Sequence, residues 1–162
     1  MCDGFNFMEK YTKEYFMNKA FLEAKKAEKE DEVPIGAVIV LDNKIIGRGH
    51  NRRANRNLTI SHAELEAISQ ANRKLDNWRL VDCDIYVTLE PCLMCMGAIL
   101  QARFKNVYFG AYDSNNGATE FAVETLKRKN INHYPHIEGG ILNTKCSEII
   151  SNYFQQKRKK DN

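Results

Sequence analysis

The segment from Asp84 to Gly110, DIYVTLEPCLMCMGAILQARFKNVYFG, places a helix-like run between two strand-like runs. The runs at 84–89 and 105–110 are short, apolar and rich in β-branched and aromatic residues, which is typical of buried strands. The run at 92–102 is helical in character, and Pro91 stands where the first residue of a helix often lies. Two strands joined through a helix normally lie parallel in one sheet, so this segment predicts a βαβ unit.

The sequence on either side extends this unit into a mixed sheet. Residues 34–41 and 44–49 flank the turn Asp42-Asn43 and predict a β-hairpin. The connection from strand 105–110 to a fifth strand at 137–142 has 26 residues and contains a helix, so it predicts a second parallel crossover. Further helices are expected at about 9–30, 61–75, 119–129 and from Asn143 into the basic tail. The predicted fold class is α/β, with three α/β/α layers in which helices cover both faces of a mixed five-stranded sheet.

The composition of the 162-residue chain is that of one globular domain spanning residues 1–162. A hydrophobic content of 43% can build a core, and a net charge of +3 does not by itself indicate nucleic-acid binding. The longest apolar stretch, 34–41, has eight residues, against roughly 18 for a membrane span. The first residues, MCDGFNFMEK, lack the regions of a secretory signal, so we expect a cytoplasmic protein without a membrane partner.

Two short motifs indicate a metal site. They are Ser61-His62-Ala63-Glu64, which has capping-box spacing, and Pro91-Cys92-Leu93-Met94-Cys95. Each opens a predicted helix, where the partial positive charge of the helix end favours thiolates. One imidazole and two thiolates form a three-ligand zinc set, and catalytic zinc keeps its fourth position for water. The combined pattern H-x-E…P-C-x-x-C is typical of zinc-dependent nucleobase deaminases.

In that pattern Glu64 is the proton carrier and not a ligand. Zinc makes hydroxide available at neutral pH, and a carboxylate beside the metal can move protons from the water to the substrate. Each residue alone has a simpler interpretation, with Glu64 as a helix cap, His62 as a surface residue and the two cysteines as a structural metal site. The joint pattern favours catalysis over these separate interpretations.

The spacing of the other candidate ligands predicts that the site is open. An odd, modest number of cysteines in a chain without an export signal favours metal or catalytic use over disulfides. Cys83 is separated from Cys92 by a strand of six residues, which puts it some 20 Å away at the other sheet end. The other cysteines and late histidines, Cys2, Cys146, His133 and His136, have no ligand spacing to the motif.

Several segments resemble, in order and spacing, the bacterial tRNA-specific adenosine deaminases. These segments are EVPIGAVIV, GRGHNRR, SHAELEAI, YVTLEPCLMCMGAI, VYFGAYDSNNGA, EGGIL and CSEIISNYFQQKRK, which together span nearly the whole chain. The resemblance implies a cytidine-deaminase-like fold, a homodimer, and conversion of adenosine to inosine at the wobble position (A34) of a tRNA anticodon loop, typically of an arginine tRNA.

The resemblance also assigns roles to individual residues. It implies that His62, Cys92 and Cys95 bind one Zn²⁺ per chain and that Glu64 is catalytic. Asn51, in GHNRR, matches the family asparagine that contacts the target nucleotide. Asp113 falls where the family contacts the anticodon loop. Two positions depart from some relatives, since Tyr112 stands in place of an arginine and Ser61 in place of an alanine.

Basic and aromatic residues suggest where RNA would bind. Arg48, Arg52, Arg53 and Arg56 fall within nine residues that hold no acid, and phosphate contacts supply much of the affinity for RNA. The tail at 157–160, KRKK, can bind phosphates or remain solvated. Tyr153 and Phe154 can stack on splayed bases or anchor the last helix to the core. The expected partner is a tRNA anticodon stem-loop, with no DNA partner.

Two other functions compete with this interpretation. A small-molecule deaminase acting on guanine, cytidine or a deoxynucleotide would use the same metal residues. The helical crossover before 137–142 and the form P-C-L-M-C-M-G-A count against a small cytidine deaminase, whereas guanine deaminases share the crossover. An RNA-binding module with a structural zinc site would need neither Glu64 nor an open coordination position.

Overall fold

A computed structural model describes residues 10–131 and 133–162. Its helices are α1 (Lys13–Lys29), α2 (Arg53–Arg56), α3 (Ala63–Leu75), α4 (Leu93–Ala102), α5 (Thr119–Arg128) and α6 (Asn143–Lys160). Its strands are β1 (Gly36–Leu41), β2 (Lys44–His50), β3 (Asp84–Leu89), β4 (Asn106–Ala111) and β5 (His136–Glu138). The predicted helix start at Glu9 and the residue Cys2 lie outside the described residues.

The five strands form one sheet in the order β2-β1-β3-β4-β5. Strand β1 pairs antiparallel with both β2 and β3, while the β3–β4 and β4–β5 pairs are parallel. Both predicted crossovers are therefore present, and the prediction of a mixed five-stranded sheet is confirmed. The parallel strands β3 and β4 end at the same sheet edge, and the segments that follow them lie side by side there.

Helices cover both faces of this sheet, as predicted. Alternate residues of a strand point to opposite faces, and in β1 Ala37 and Ile39 belong to one buried cluster whereas Val38 and Val40 belong to the other. The first cluster includes residues of α3, α4 and α5, and the second includes residues of α1 and α6. Apolar burial on two faces accounts for the three-layer arrangement.

Four local predictions differ from the structure. The fifth strand covers only 136–138, because the following glycines and Leu142, which has a φ of 53°, turn the chain into α6. A short helix, α2, replaces the loop expected after Asn51. The helix α4 begins at Leu93, with Cys92 as its N-cap, so Pro91 precedes the helix instead of starting it. Similarly, α3 has His62 as its N-cap without a side-chain cap, and the predicted capping box is wrong.

Two glycines allow the first two strands to approach the helices above them. A Cβ atom on Gly36 would lie 2.1 Å from the Ala20 carbonyl oxygen, and one on Gly49 would lie 2.3 Å from the Ala63 carbonyl oxygen. Because glycine has no Cβ atom, α1 and α3 can lie this close to opposite faces of the sheet. In the described part of the chain, no helix has the length and apolar character needed to cross a membrane.

Candidate active site

The ends of two helices bring three potential metal ligands together. His62 and Cys92 are the N-caps of α3 and α4, and Cys95 lies one turn into α4. The His62 Nδ1 atom is 3.7 Å from the Cys92 sulfur and 3.6 Å from the Cys95 sulfur. All three donor atoms lie within 4.8 Å of one another, and among the described residues no other His, Cys or acidic residues form such a group.

This donor set has the geometry of a zinc site. In a tetrahedral site with Zn–S near 2.3 Å and Zn–N near 2.05 Å, the nitrogen and sulfur atoms are about 3.6 Å apart. Both observed N–S distances, 3.7 and 3.6 Å, agree with that separation. The residues therefore fit a zinc ion held by three protein ligands, with one position left for another molecule.

The ionisation of Cys92 also favours the binding of a cation by the cluster. A hydrogen bond from the Cys95 thiol, and a second from His62, lower the pKa of Cys92 to about 3. The same Cys92–Cys95 hydrogen bond and burial raise the pKa of Cys95. The cluster therefore carries a thiolate at neutral pH, and a bound cation would displace the remaining protons.

Glu64 lies next to this group without belonging to it. Its Oε2 atom is 3.2 Å from the Cys95 sulfur, yet its carboxylate is not among the donor atoms that lie within 4.8 Å of one another. The residue is only 4% exposed, and burial raises the pKa of its carboxyl group. A buried carboxyl group beside a potential metal site is suited to accept a proton from water and release it to a substrate.

Other cysteines stand apart from the cluster. Cys83 is fully buried just before β3, whereas Cys92 follows the end of that strand. Burial raises the pKa of both Cys83 and Cys146 to about 11, so neither thiol ionises readily. These positions agree with the expectation that neither residue completes the metal site.

A cavity of about 730 Å³ opens onto the cluster. Its lining includes His62 and Cys92 from the cluster, the neighbouring Glu64, and Asn51, Arg53 and Asp113 from the segments around them. Its volume is typical of a small-molecule site, and the lining combines charged, amide and apolar groups. The cavity can hold a nucleoside but not a folded nucleic acid, so a larger substrate would have to extend one unit into it.

Comparisons with known proteins show the family of the chain. A family model described as MafB19-like deaminase matches residues 11–158. The tRNA-specific adenosine deaminase of Streptococcus pyogenes serotype M18 is 44% identical over 146 residues, covering 90% of this chain and 92% of that protein. The chain belongs to the tRNA-specific adenosine deaminase family.

Solved structures include tRNA deaminases and a guanine deaminase. A structure of tRNA:A34 deaminases, described for A-to-I editing at the wobble position of transfer RNA, superposes on this deaminase with a TM-score of 0.78 and 42% identity. It covers 83% of this chain and 98% of that chain. A guanine deaminase from Bacillus subtilis also superposes, with a TM-score of 0.62 and 35% identity over 76% of this chain and 79% of that one.

The arginines of this deaminase that precede α3 have different surroundings. Arg53 lines the cavity. Arg52 lies 3.4 Å from the Glu30 carboxylate, without the alignment of a hydrogen bond, and Arg56 forms an ion pair with Glu66 at 2.8 Å. Of these three, Arg53 is therefore the arginine that faces the cavity.

Asn51 is held in a defined orientation at the cavity wall. Its side-chain nitrogen donates to the Val33 carbonyl at 3.3 Å, and its side-chain oxygen accepts from the Arg53 backbone amide at 3.2 Å.

Glu32, which is 3% exposed, accepts hydrogen bonds from the amides of Ala54 and Asn55 and so caps α2. Sequence reasoning missed Glu32 because its partners lie more than 20 residues away.

The C-terminal residues for which the sequence leaves both RNA binding and anchoring of the last helix open divide into two roles. The Tyr153 hydroxyl donates to the Asp31 carbonyl at 3.1 Å, and Lys157 forms an ion pair with the Asp31 carboxylate at 3.1 Å. These two contacts fasten α6 to the end of α1. Phe154 is 44% exposed and lines the cavity, so it is the aromatic residue of this pair that a substrate can reach.

Proposed function

We propose that this protein deaminates adenosine to inosine at the wobble position (A34) of a tRNA anticodon loop, as its relatives are named for doing. The observation that carries the proposal is the buried Glu64 beside the His62, Cys92 and Cys95 donor group, at a cavity of nucleoside size. A structural zinc site would not need a buried carboxyl group there, nor an open position facing a cavity. These features support hydrolytic deamination over a purely structural role.

The proposed ligands of one Zn²⁺ per chain are His62, Cys92 and Cys95. When bound, zinc supplies a Lewis acid that makes hydroxide available near neutral pH. Glu64 takes a proton from the attacking water and passes it to ring nitrogen N1 as oxygen adds to C6 of adenine. A second proton goes through Glu64 to the amino group, which leaves as ammonia. The two protons of the water end on N1 of inosine and on ammonia.

The walls of the cavity suggest how a nucleotide would be held. We infer that Asn51 contacts the target nucleotide, because its amide is fixed at the wall by two hydrogen bonds. Arg53 lines the cavity and can bind a backbone phosphate. Asp113 lines the same cavity from the loop that joins β4 to α5. Arg52 has a lesser part in this proposal because it already lies against Glu30. An anticodon loop presents its bases outside a duplex, so little energy is spent on unstacking the target.

Guanine deamination is the second candidate. The structural match to the Bacillus subtilis guanine deaminase favours it, since the same metal group would serve both reactions. The two candidate substrates differ in the contacts that they need beyond the reacting base. An RNA loop needs residues that bind its backbone and neighbouring bases, whereas free guanine needs none. The Arg53 side chain and the exposed Phe154 at the cavity therefore favour the RNA substrate.

A direct comparison of substrates tests the proposal. We would measure ammonia release from an arginine-tRNA anticodon stem-loop with adenosine at the wobble position, and from free adenosine, guanine and cytidine, together with inosine formation within the stem-loop. The proposal expects turnover of the stem-loop and little turnover of the small molecules. Efficient turnover of guanine with an inert stem-loop would replace it with the second candidate. The same stem-loop with other anticodon sequences tests the preference for an arginine tRNA.

We further propose a homodimer and a cytoplasmic location, with no membrane or DNA partner. Three large apolar side chains near the metal ligands, Leu58, Ile60 and Leu93, are 44%, 56% and 58% exposed. Covering such residues with a second copy removes them from water. Sedimentation equilibrium of the purified protein distinguishes a dimer from a monomer.

A further inference from the structure

Glu90 joins the metal-binding segment to the loop on the other side of the cavity. It follows the last residue of β3 and stands two positions before Cys92. Its Oε1 atom accepts a hydrogen bond from the Asp113 amide at 3.3 Å. Its Oε2 atom accepts from the Thr119 amide at 3.3 Å and from the Thr119 hydroxyl at 2.6 Å. One carboxylate thus holds both ends of the loop that joins β4 to α5.

The loop is built around that carboxylate. Asp113 folds the loop on itself, because its Oδ1 atom accepts from the amides of Asn115 and Asn116 at 3.1 Å each. Gly117 packs directly on Glu90, since a Cβ atom there would lie 2.4 Å from the carboxylate carbon. Backbone hydrogen bonds complete the connection, from Glu90 to the Ala111 carbonyl at 2.8 Å and from Ala118 to the Pro91 carbonyl at 3.0 Å.

Glu90 itself also lines the cavity, together with residues 112–116 of the loop. Its three hydrogen bonds, one to Asp113 in the loop and two to Thr119 at the start of α5, fix where Asp113 lies relative to Cys92. We propose that Glu90 is a positioning residue for the substrate, which holds the loop at 112–118 at the distance from the metal ligands that the RNA requires. This inference rests on the proposed function, because the loop is taken to contact RNA.

The hydrogen bonds of Glu90 could serve a different role, which is only to cap the N-terminus of α5. Glu90 satisfies the Thr119 amide at the start of α5, whose N-cap Ala118 has no side chain to do so. A cap of this kind would affect stability without affecting substrate binding. The additional hydrogen bond to the Asp113 amide, six residues before Thr119, is not needed for capping. It links the carboxylate to the part of the loop that lines the cavity.

The variant E90Q tests the role with little change in shape. A glutamine side chain has one acceptor oxygen, so its amide nitrogen must face an N–H donor from either Asp113 or Thr119. We expect faster hydrogen exchange of the amides at 113–119 in the free protein. With the stem-loop we expect KM to rise about tenfold, the factor for one hydrogen bond to a charged acceptor, with kcat and zinc content unchanged.

Two further variants separate positioning from general destabilisation. T119V removes only the hydroxyl donor, and we expect the same changes as in E90Q but smaller. E120Q is the matched control, because Glu120 is an exposed carboxylate in the first turn of α5. We expect its exchange and KM to match the unmodified protein. The thermal midpoint of each variant shows whether it is folded at the assay temperature.

The outcomes distinguish this inference from the proposed function. Unchanged exchange at 113–119 in both E90Q and T119V would overturn it, and so would faster exchange with an unchanged KM, because the contacts would then serve only as a cap. A fall in kcat together with zinc loss would also overturn it, by making Glu90 a support of the metal site. If the unmodified protein does not deaminate the stem-loop, the proposed function fails, whatever the exchange data show about the loop.

Discussion

The Cys95 sulfur lies 3.2 Å from Oε2 of Glu64, closer than its 3.6 Å separation from Nδ1 of His62. A carboxyl group in contact with one ligand, but outside the group of donor atoms, is placed to exchange protons beside a bound metal without occupying its coordination sphere. Glu64 is only 4% exposed, so its carboxyl group is largely shielded from bulk water. The proposed proton carrier and the proposed ligand group are therefore parts of one packed unit.

Glu64→Gln tests the proton transfer separately from metal binding. We expect zinc content and thermal stability close to those of the unmodified protein, because the amide has the same size and Glu64 is not the helix cap. Turnover should fall roughly 100- to 10,000-fold, the range for loss of a general acid–base. Inosine formation and metal analysis of the same sample check both expectations. Turnover near that of the unmodified protein would remove Glu64 from the mechanism.

Cys92→Ala and Cys95→Ala test the ligand group. Each leaves one thiolate and one imidazole, and we expect loss of stoichiometric zinc and of activity. Cys146→Ala is the control, because Cys146 is a buried thiol that takes no part in the donor group. It should keep zinc even if it loses some stability. Metal analysis after dialysis against a chelator supplies the measurement, and full zinc content in both ligand variants would contradict the assignment.

Arg53→Ala and Arg56→Ala form a matched pair for the RNA contact. Arg53 lines the cavity, whereas Arg56 is paired with Glu66 at 2.8 Å. We expect Arg53→Ala to raise KM for the stem-loop and to reduce the log–log salt slope of binding by about 0.7, the value for one single-strand phosphate. Arg56→Ala should leave that slope unchanged and cost at most about 1 kcal/mol in the free energy of unfolding. Equal effects of the two variants would mean that the whole arginine cluster binds RNA.

The sequence predicts the mixed sheet, and it predicts that His62, Cys92 and Cys95 lie together, because both depend on local patterns. The lengths of the connections predict which strands form a hairpin and which are joined by parallel crossovers, and His62, Cys92 and Cys95 are recognisable from spacing alone. The start of α3 is mispredicted because Ser61 and Glu64 have capping-box spacing, yet the Ser61 hydroxyl donates to Glu66 at 2.6 Å. The same Glu66 oxygen also accepts a hydrogen bond from Arg56. The Glu66 side chain therefore connects α3 to the segment that precedes it.

The surroundings of the site are not predictable in the same way. The partners of Glu90 lie 23 and 29 residues away, and Arg52 meets Glu30 only after α1 packs against β2. Such contacts depend on tertiary packing, and no periodicity or motif in the sequence records them. For this reason the sequence treats the arginines 52, 53 and 56 as one cluster, whereas the fold gives each a different partner.

Gly49→Ala tests how closely the site depends on the packing of α3. A Cβ atom at this position would lie 2.3 Å from the Ala63 carbonyl and 2.6 Å from the Ala67 amide, so the helix must move away from β2. We expect a loss of about 1–3 kcal/mol in the free energy of unfolding, the usual cost of overpacking. Because Ala63 stands between His62 and Glu64, turnover should fall by more than the loss of folded protein accounts for. Thermal unfolding and inosine formation on the same preparation separate the two effects.

Gly97→Ala provides the opposite case within α4. A Cβ atom there meets no atom within 4 Å, and the position is an exposed one inside the helix. Replacing a helical glycine by alanine should therefore stabilise the protein by about 0.5–1 kcal/mol and leave turnover unchanged. Thermal unfolding of the single variants and of the Gly49→Ala/Gly97→Ala double variant checks whether the two changes add. Gly97 lies one turn after Leu93, on the face of α4 that the proposed dimer would cover. A destabilised Gly97→Ala that also dimerises more weakly in sedimentation equilibrium would therefore support the proposed dimer.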